Sequence, residues 1–361
     1  MPSFRPPFCP NPACDYHSTS RGWRYVRWGS YTRTCPRVRT IARFRCSHCR
    51  RTFSRQTFQT TYWLRRPELQ ATICERLLSG SGLRQIARFL HCSPTTVMTH
   101  TARLGRHAML LLETHRPRQP REPIVIDGFE SFAFSQYYPL HLNLAVGADS
   151  HFVYALTESE LRRKGRMTRA QKTKRELEEA TVGRPDPRSI EKGTASLLEW
   201  VLPEDSEATV YSDEHPAYPR AIRRLEGRRV HHEVTSSKAA RTTRNPLFPV
   251  NRQDLMLRHS GANHRRETIA FSKLRASVIE RAMLQAVFMS FLKSFSERRQ
   301  DATPAERLGL VDRKWTVCEL LWKRLFATRV ELGAALRRYY ERRVGTRRIP
   351  EMRPHRLTYA F

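Results

Sequence analysis

Two close pairs of cysteines constrain the start of this chain more than anything else in it. They are Cys9-Pro-Asn-Pro-Ala-Cys14 and Cys46-Ser-His-Cys49. Each pair fits on a tight knuckle, and four thiolates from two knuckles close a tetrahedron around zinc. Between them, Trp23–Trp28 and Val38–Phe44 have the aromatic and β-branched content of short strands. Residues 1–62 therefore read as a zinc ribbon, with Cys9, Cys14, Cys46 and Cys49 as ligands of a structural Zn2+. Cys35, between the pairs, is the rival ligand, and His48 reads as a spectator. The stretch has too little apolar surface for a core, so the metal would hold the fold. Eight cysteines, with no apolar signal core in MPSFRPPFCP, fit a reducing cytoplasmic location and metal binding rather than disulfides.

Residues 63–114 read as a helix-turn-helix. Pro67 and Glu68 open a first helix that Gly80 and Gly82 end. Leu83–Leu90 is a second, and Ser93 N-caps a third with Pro94 behind it. In a helix-turn-helix, Thr95, Thr96, Thr99 and His100 would face the major groove, and Arg84 and Arg88 the backbone. The plainer alternative is a helical hairpin used for packing. Cys74 and Cys92 read as buried apolar thiols. Residues 115–123 hold three prolines and three arginines, which predicts a stiff linker and a domain boundary.

The charge points to the partner. Lys plus Arg number 65 against 34 Asp plus Glu, a formal +31. Solubility needs only about 2 to 8. Arginine far outnumbers lysine, and its fork suits phosphate. Double-stranded DNA is the expected partner; a merely basic protein from a GC-rich genome is the plainer reading. No run of about 20 apolar residues exists, so no membrane span is expected.

Beyond residue 123 the pattern becomes α/β. Ile124–Glu130 reads as a buried strand carrying Asp127, followed by strands at Leu140–Val146 and Phe152–Leu156. A charged insertion covers 158–194. Gly193–Leu202 reads as a helix, Ala208–Asp213 as a strand ending on a second acid, and Pro216–Leu225 as another helix. Arg229–Val234 is a possible last strand, where His231, His232 and Glu233 could approach a site. In the stretch Asn245–Lys273, Asn251, Asp254 and Arg258 stand at i, i+3 and i+7, on one helical face. Two strands ending on Asp, with a third acid on a late helix, could set three oxygen ligands at one sheet edge. Such a set suits two Mg2+ or Mn2+ ions, which can activate a water or a 3′-hydroxyl for displacement at phosphorus. From Ala282 on, the chain reads as helix that packs back on the sheet. Trp315–Leu325 and Val330–Tyr340 read as further helices whose arginine and aromatic content could support self-association.

Several motifs together resemble the zinc-ribbon DDE transposases of bacterial insertion sequences. They are CPNPAC…CSHC with RTFSRQTF, then GLRQIARFLHCSPTTV, YSDEHPAY and RHSGANHRRETIAFSK. The resemblance covers nearly the whole chain. It implies a multidomain protein: ribbon, helix-turn-helix, an α/β ribonuclease-H-like catalytic domain over 124–300, and a helical extension over 301–361. It implies binding of element-end DNA, Mg2+-dependent strand cleavage and strand transfer, and a homo-oligomer on DNA. Asp127 resembles the family's first acid and Asp213 the second. The third slot usually holds Glu with a basic residue seven positions later. Registering on Arg258 and the Phe-Ser-Lys block puts Asn251 there; a one-turn slip puts Asp254 there. Asp254 offers a divalent ion more charge and is preferred, with Asn251 as second ligand or positioning group. Arg258 and Lys273 would bind phosphates, and Glu267 lies too far along the chain. A non-enzymatic DNA-binding regulator, an inactive or domesticated copy, and a nuclease without strand transfer are the alternatives.

Overall fold

The knuckles and strands expected around the cysteines are present. β1 (Tyr25–Arg33) and β2 (Arg39–Cys46) form an antiparallel hairpin, and β3 (Thr52–Ser54) pairs with β2. Trp23, Tyr25, Phe44, Phe53 and Phe58 pack around the cysteines. Flat rings make up the core of a module with few aliphatic side chains. The computed structural model describes residues 4–34, 38–299 and 301–349. Cys35, the rival ligand, lies outside them, as does the end of the expected C-terminal extension.

Three helices follow: α1 (Gln70–Leu78), α2 (Leu83–Phe89) and α3 (Pro94–His115). Local chemistry sets their ends. Gly80, at φ +76°, closes α1. The Gly82 N–H donates to Gln85 Oε1 at 2.7 Å to open α2. The Thr95 N–H donates to Ser93 Oγ at 3.1 Å, with Pro94 at the first position of α3. α3 runs 22 residues, about 33 Å. From His100 to Leu112 every residue on it is buried, so it is the central helix of the molecule rather than an appended hairpin.

The proline–arginine stretch follows directly on α3. Glu113 accepts from Arg116 Nε at 2.8 Å and from Trp200 Nε1 at 2.7 Å. Buried side chains from Ile73 to Val344 form one continuous cluster.

The second sheet is built from β4 (Ile124–Phe132), β5 (Pro139–Gly147), β6 (Val153–Glu160), β7 (Glu207–Ser212) and β8 (Arg229–Val234), in the order β6-β5-β4-β7-β8. The first three are antiparallel neighbours; β7 runs parallel to β4, and β8 parallel to β7. α4 (Arg169–Val182) and α5 (Ser189–Val201) lead from β6 to β7, and α6 (Ala217–Ile222) leads from β7 to β8. α7 (Phe248–Ser260) and α8 (Arg275–Val287) follow. α8 crosses α3 at Gly105, where a Cβ would lie 2.4 Å from Glu280 Cβ; only glycine allows that approach.

Two expectations change here. Asp127 does not end its strand: it lies mid-β4, opposite Leu144. The antiparallel hairpin with β5 carries β4 to Phe132, whereas its parallel ladder with β7 stops at Val125–Tyr211. The charged insertion 158–194 is also shorter than it reads. Glu158, Ser159 and Glu160 complete β6, and Glu158 is buried against Arg275 Nη2 at 2.6 Å. From Ser189 on, the chain is α5; only the stretch around α4 is a solvated excursion.

The tail holds α9 (Pro304–Arg307), α10 (Val317–Leu320) and α11 (Ala334–Tyr340). The helix expected over Trp315–Leu325 is shorter, Val317–Leu320, and the residues after it meet the ribbon. Thr60 Oγ1 donates to the Leu321 carbonyl at 3.0 Å, and Arg324 Nη1 to the Thr57 carbonyl at 2.7 Å. Among the described residues, no helix is long and apolar enough to cross a membrane.

Candidate active site and metal centre

The Sγ atoms of Cys9, Cys14, Cys46 and Cys49 all lie within 4.8 Å of one another. Cys9 and Cys49 are 3.6 Å apart. A tetrahedral zinc with Zn–S bonds near 2.3 Å spaces its sulfurs by about 3.8 Å, so donor set and spacing fit a structural zinc. Trp23 Nε1–H donates to Cys46 Sγ at 3.3 Å, the kind of outer contact that steadies a metal-bound thiolate. His48 Nδ1 stands 3.7 Å from Cys14 Sγ, outside the four-sulfur set.

The acids lie at the gap between β4 and β7. Asp127 is half-buried past the last β4–β7 pair, and Asp213 follows directly on β7. Asp127 Oδ1 accepts from the Gly128 N–H at 2.7 Å and from Tyr218 OH, on α6, at 3.3 Å. Burial, with the Asp213 charge adding to it, raises the Asp127 carboxyl to about 6. Asp213 Oδ1 accepts from the His215 N–H at 2.9 Å. The third acid comes from α7, which packs on β4 and β5. Burial raises the Asp254 carboxyl well above the ordinary range; Asp127 pushes the same way and Arg258 opposes it. Asp254 Oδ1 is buried and makes no hydrogen bond. Burial raises the Tyr218 phenol as well, reinforced by Asp127, Asp213 and Asp254 in that order. One hydroxyl therefore senses all three carboxylates. The carboxylates are spread more openly than the cysteines: among the described residues, only the four thiols converge within 4.8 Å.

Arg258, four residues after Asp254, lies over the Phe129 ring at 4.4 Å and donates through Nη1 to the His264 carbonyl at 3.2 Å. His264 is buried between Ser131 Oγ at 3.0 Å and Asn263 Nδ2 at 3.2 Å, and burial lowers it to about 3. This neutral ring ties the arginine-rich loop to β4. Asn251 is half-buried one turn before Asp254 on α7. Lys273 is exposed beyond the far end of β4, where Ser272 bridges to Ala133. Glu267 is exposed. His232 Nε2 meets Ser212 Oγ at 2.8 Å, tying β8 to β7, while His231 pairs with Glu233 at 3.2 Å on the exposed edge.

On α2 and α3, Arg84, Arg88, Thr95 and Thr99 are exposed and Thr96 half-buried. His100 does not join them. It is 1% exposed, turned into the core, and burial lowers it to about 4. The helical face turns inward one residue after Thr99 because α3 is enclosed by the body of the molecule.

Three residues at the acids were not singled out from sequence. Tyr218 sits in the YSDEHPAY run, five positions after Asp213. His215 lies in the same run, two positions after Asp213. His141 is buried on β5, with Nδ1 2.8 Å from Asn143 Oδ1, and its ring fills the space where a Gly128 side chain would go. The signal was there: His141 and Asn143 are the polar positions, two apart, of an otherwise apolar strand.

No protein-family profile matches the chain. Among solved structures, it is similar to a chain of the cryo-EM structure of the simian T-cell lymphotropic virus intasome in complex with PP2A regulatory subunit B56 gamma. The identity is 12% and the TM-score 0.25, over 66% of this chain and 73% of that one. A superposition that loose carries no argument about activity.

Proposed function

We propose that this protein is a DDE-type DNA transposase with a ribonuclease-H-like catalytic domain. It binds the ends of its element as duplex DNA and catalyses strand cleavage and strand transfer, working as a homo-oligomer on DNA. The observation that carries the reading is the gap at β4–β7. A buried Asp254 oxygen makes no hydrogen bond and its carboxyl feels Asp127, while Asp213 follows directly on β7 and Arg258 lies one turn along α7. A buried carboxylate oxygen without a hydrogen-bond partner, with a second carboxylate acting on it, would be satisfied by a cation. The strand order β6-β5-β4-β7-β8, with three antiparallel and two parallel strands, supports the fold assignment.

Asp127, Asp213 and Asp254 are the residues that would hold divalent ions, with Asn251 contributing an amide oxygen one turn away. Two Mg2+ or Mn2+ ions would supply Lewis acidity to the attacking and leaving oxygens. The protein's own groups hold the geometry. Gly128 N–H and Tyr218 OH fix Asp127 Oδ1. Tyr218 keeps its proton, because burial and three nearby carboxylates oppose its loss. Arg258 is braced by Phe129 and a backbone carbonyl, so its remaining N–H groups can meet phosphate bidentately. Arg84, Arg88, Thr95, Thr96 and Thr99 would hold the DNA end, and Lys273 a flanking phosphate. The cysteine cluster, loaded with zinc, would fix the ribbon.

The test uses duplexes carrying the element's own ends. Asp127→Ala and Asp213→Ala should each abolish metal-dependent nicking and leave duplex binding intact. Nicking that survives either change rejects the assignment. Nicking without joining to a second duplex would favour a plain nuclease.

A further inference from the structure

The ribbon presents an arginine–aromatic face that zinc binding and core packing do not use. Between Asp15 and Glu68 the sequence holds 13 arginines and no acid. The ribbon therefore has almost no carboxylates with which to neutralise itself. Among the described residues, Arg27, Arg39, Arg43 and Arg45 have no acidic partner. Two of them lie on rings instead: Arg45 stacks 3.3 Å from the Trp28 ring centroid, and Arg43 sits 5.6 Å from that of Tyr31. Arg45 Nε is buried without a hydrogen bond.

The backbone aims this face. Alternation on β2 sends Phe44 and Cys46 toward the zinc cluster and Arg43 and Arg45 to the other side. On β1 the register shifts between Arg27 and Ser30, and Gly29 sits at φ +74°. That bulge turns Trp28 outward, leaving the ring 46% exposed beside Val26. The half-exposed indole and the guanidinium stacked on it, with no acid to meet, form one cationic, flat-sided surface. The phosphates and sugars of a duplex backbone match both halves of the pattern.

We propose that the β1–β2 face is a second DNA-contacting surface. On it, Arg43 and Arg45, held by Tyr31 and Trp28, take phosphates of duplex DNA flanking the stretch held by α2 and α3. The proposal rests on the transposase reading for its partner, but not on the catalytic acids.

The test measures duplex binding by the full-length, zinc-loaded protein without Mg2+, as a function of salt. Each phosphate contact contributes about 0.9 to the slope of log K against log salt. Arg43→Gln with Arg45→Gln should lower the slope by about 1.8 and weaken binding on the order of 30-fold at 0.15 M salt. Trp28→Ala should weaken binding several-fold with little change in slope. Arg43→Lys with Arg45→Lys keeps the charges and should keep the slope, while zinc content shows whether each ribbon has folded. An unchanged slope in the glutamine pair with zinc retained, while Arg84→Gln with Arg88→Gln lowers it, overturns the proposal. A wild-type protein that binds no duplex overturns the transposase reading with it.

Discussion

Replacing Gly128 with alanine puts a methyl group where the His141 imidazole already stands. An ideal Cβ there lies 1.6 Å from His141 Cε1 and 1.7 Å from Nε2, less than half of ordinary contact distance. The ring cannot yield cheaply. It is 6% exposed, and its Nδ1 is held at 2.8 Å by Asn143 Oδ1. The Asn143 amide is in turn committed to Thr157 Oγ1 and Ser159 Oγ, both at 3.1 Å. Overpacking of this kind costs about 1–3 kcal/mol, and a broken buried hydrogen bond about 1–3 kcal/mol more. Gly128→Ala should therefore destabilise the protein by about 2–6 kcal/mol, read from urea unfolding. Gly128→Ala with His141→Ala removes the obstruction, so the double variant should cost at least about 1 kcal/mol less than the sum of the singles. A single variant within about 0.5 kcal/mol of wild type, or strict additivity, would refute the packing argument. So would an Asp127 site unmoved by the change, since Gly128 N–H is one of the two groups that orient it.

Other expectations are as direct. Burial holds His100 and His107 neutral, lowering each to about 4. Their folded values lie below the unfolded value near 6.5, so their stabilisation is complete above pH 6.5 and is lost as pH falls toward 4. Each ring should cost about 2 kcal/mol at pH 5; a urea midpoint that stays flat between pH 7 and 5 would contradict this. Cys46→Ser should release zinc and shift Trp23 emission, since the indole donates to that sulfur; wild-type protein with no zinc by metal analysis would remove the ribbon assignment. Asp254→Ala should impair metal-dependent nicking more than Asn251→Ala. The reverse order would move the third ligand to Asn251, and equal mild losses would reject both.

The parts of this molecule set by short-range chemistry were readable from sequence. Cys9–Cys14 and Cys46–Cys49 declare themselves by spacing, and the thiols converge as expected. Ser93-Pro94 and Gly80 mark helix ends by capping alone. The strands of the second sheet were found because apolar runs between turn residues are local signals. What sequence could not give was set by partners far away in the chain. The first strand read as Ile124–Glu130 and its acid as sitting at the strand end, yet pairing with β5 carries β4 to Phe132 and leaves Asp127 mid-strand. His100 read as outward because polar residues precede it, yet α3 is buried on all sides from that residue on. The tail read as long helices, but there Arg324 donates to the Thr57 and Phe58 carbonyls and the Leu321 carbonyl accepts from Thr60. At the site, Tyr218 and His215 went unmarked, since only folding brings the chain after β7 to Asp127, while His141 was signalled as a polar position of an apolar strand.

The central claim is that Asp127, Asp213 and Asp254 form one cation-binding centre, and counting Mn2+ tests it most directly. Electron paramagnetic resonance on the full-length, zinc-loaded protein should show two Mn2+ bound per chain. Asp127→Asn, Asp213→Asn and Asp254→Asn should each lose bound Mn2+ while the zinc remains. No bound Mn2+ in the wild type, or undiminished binding in all three variants, would contradict the account.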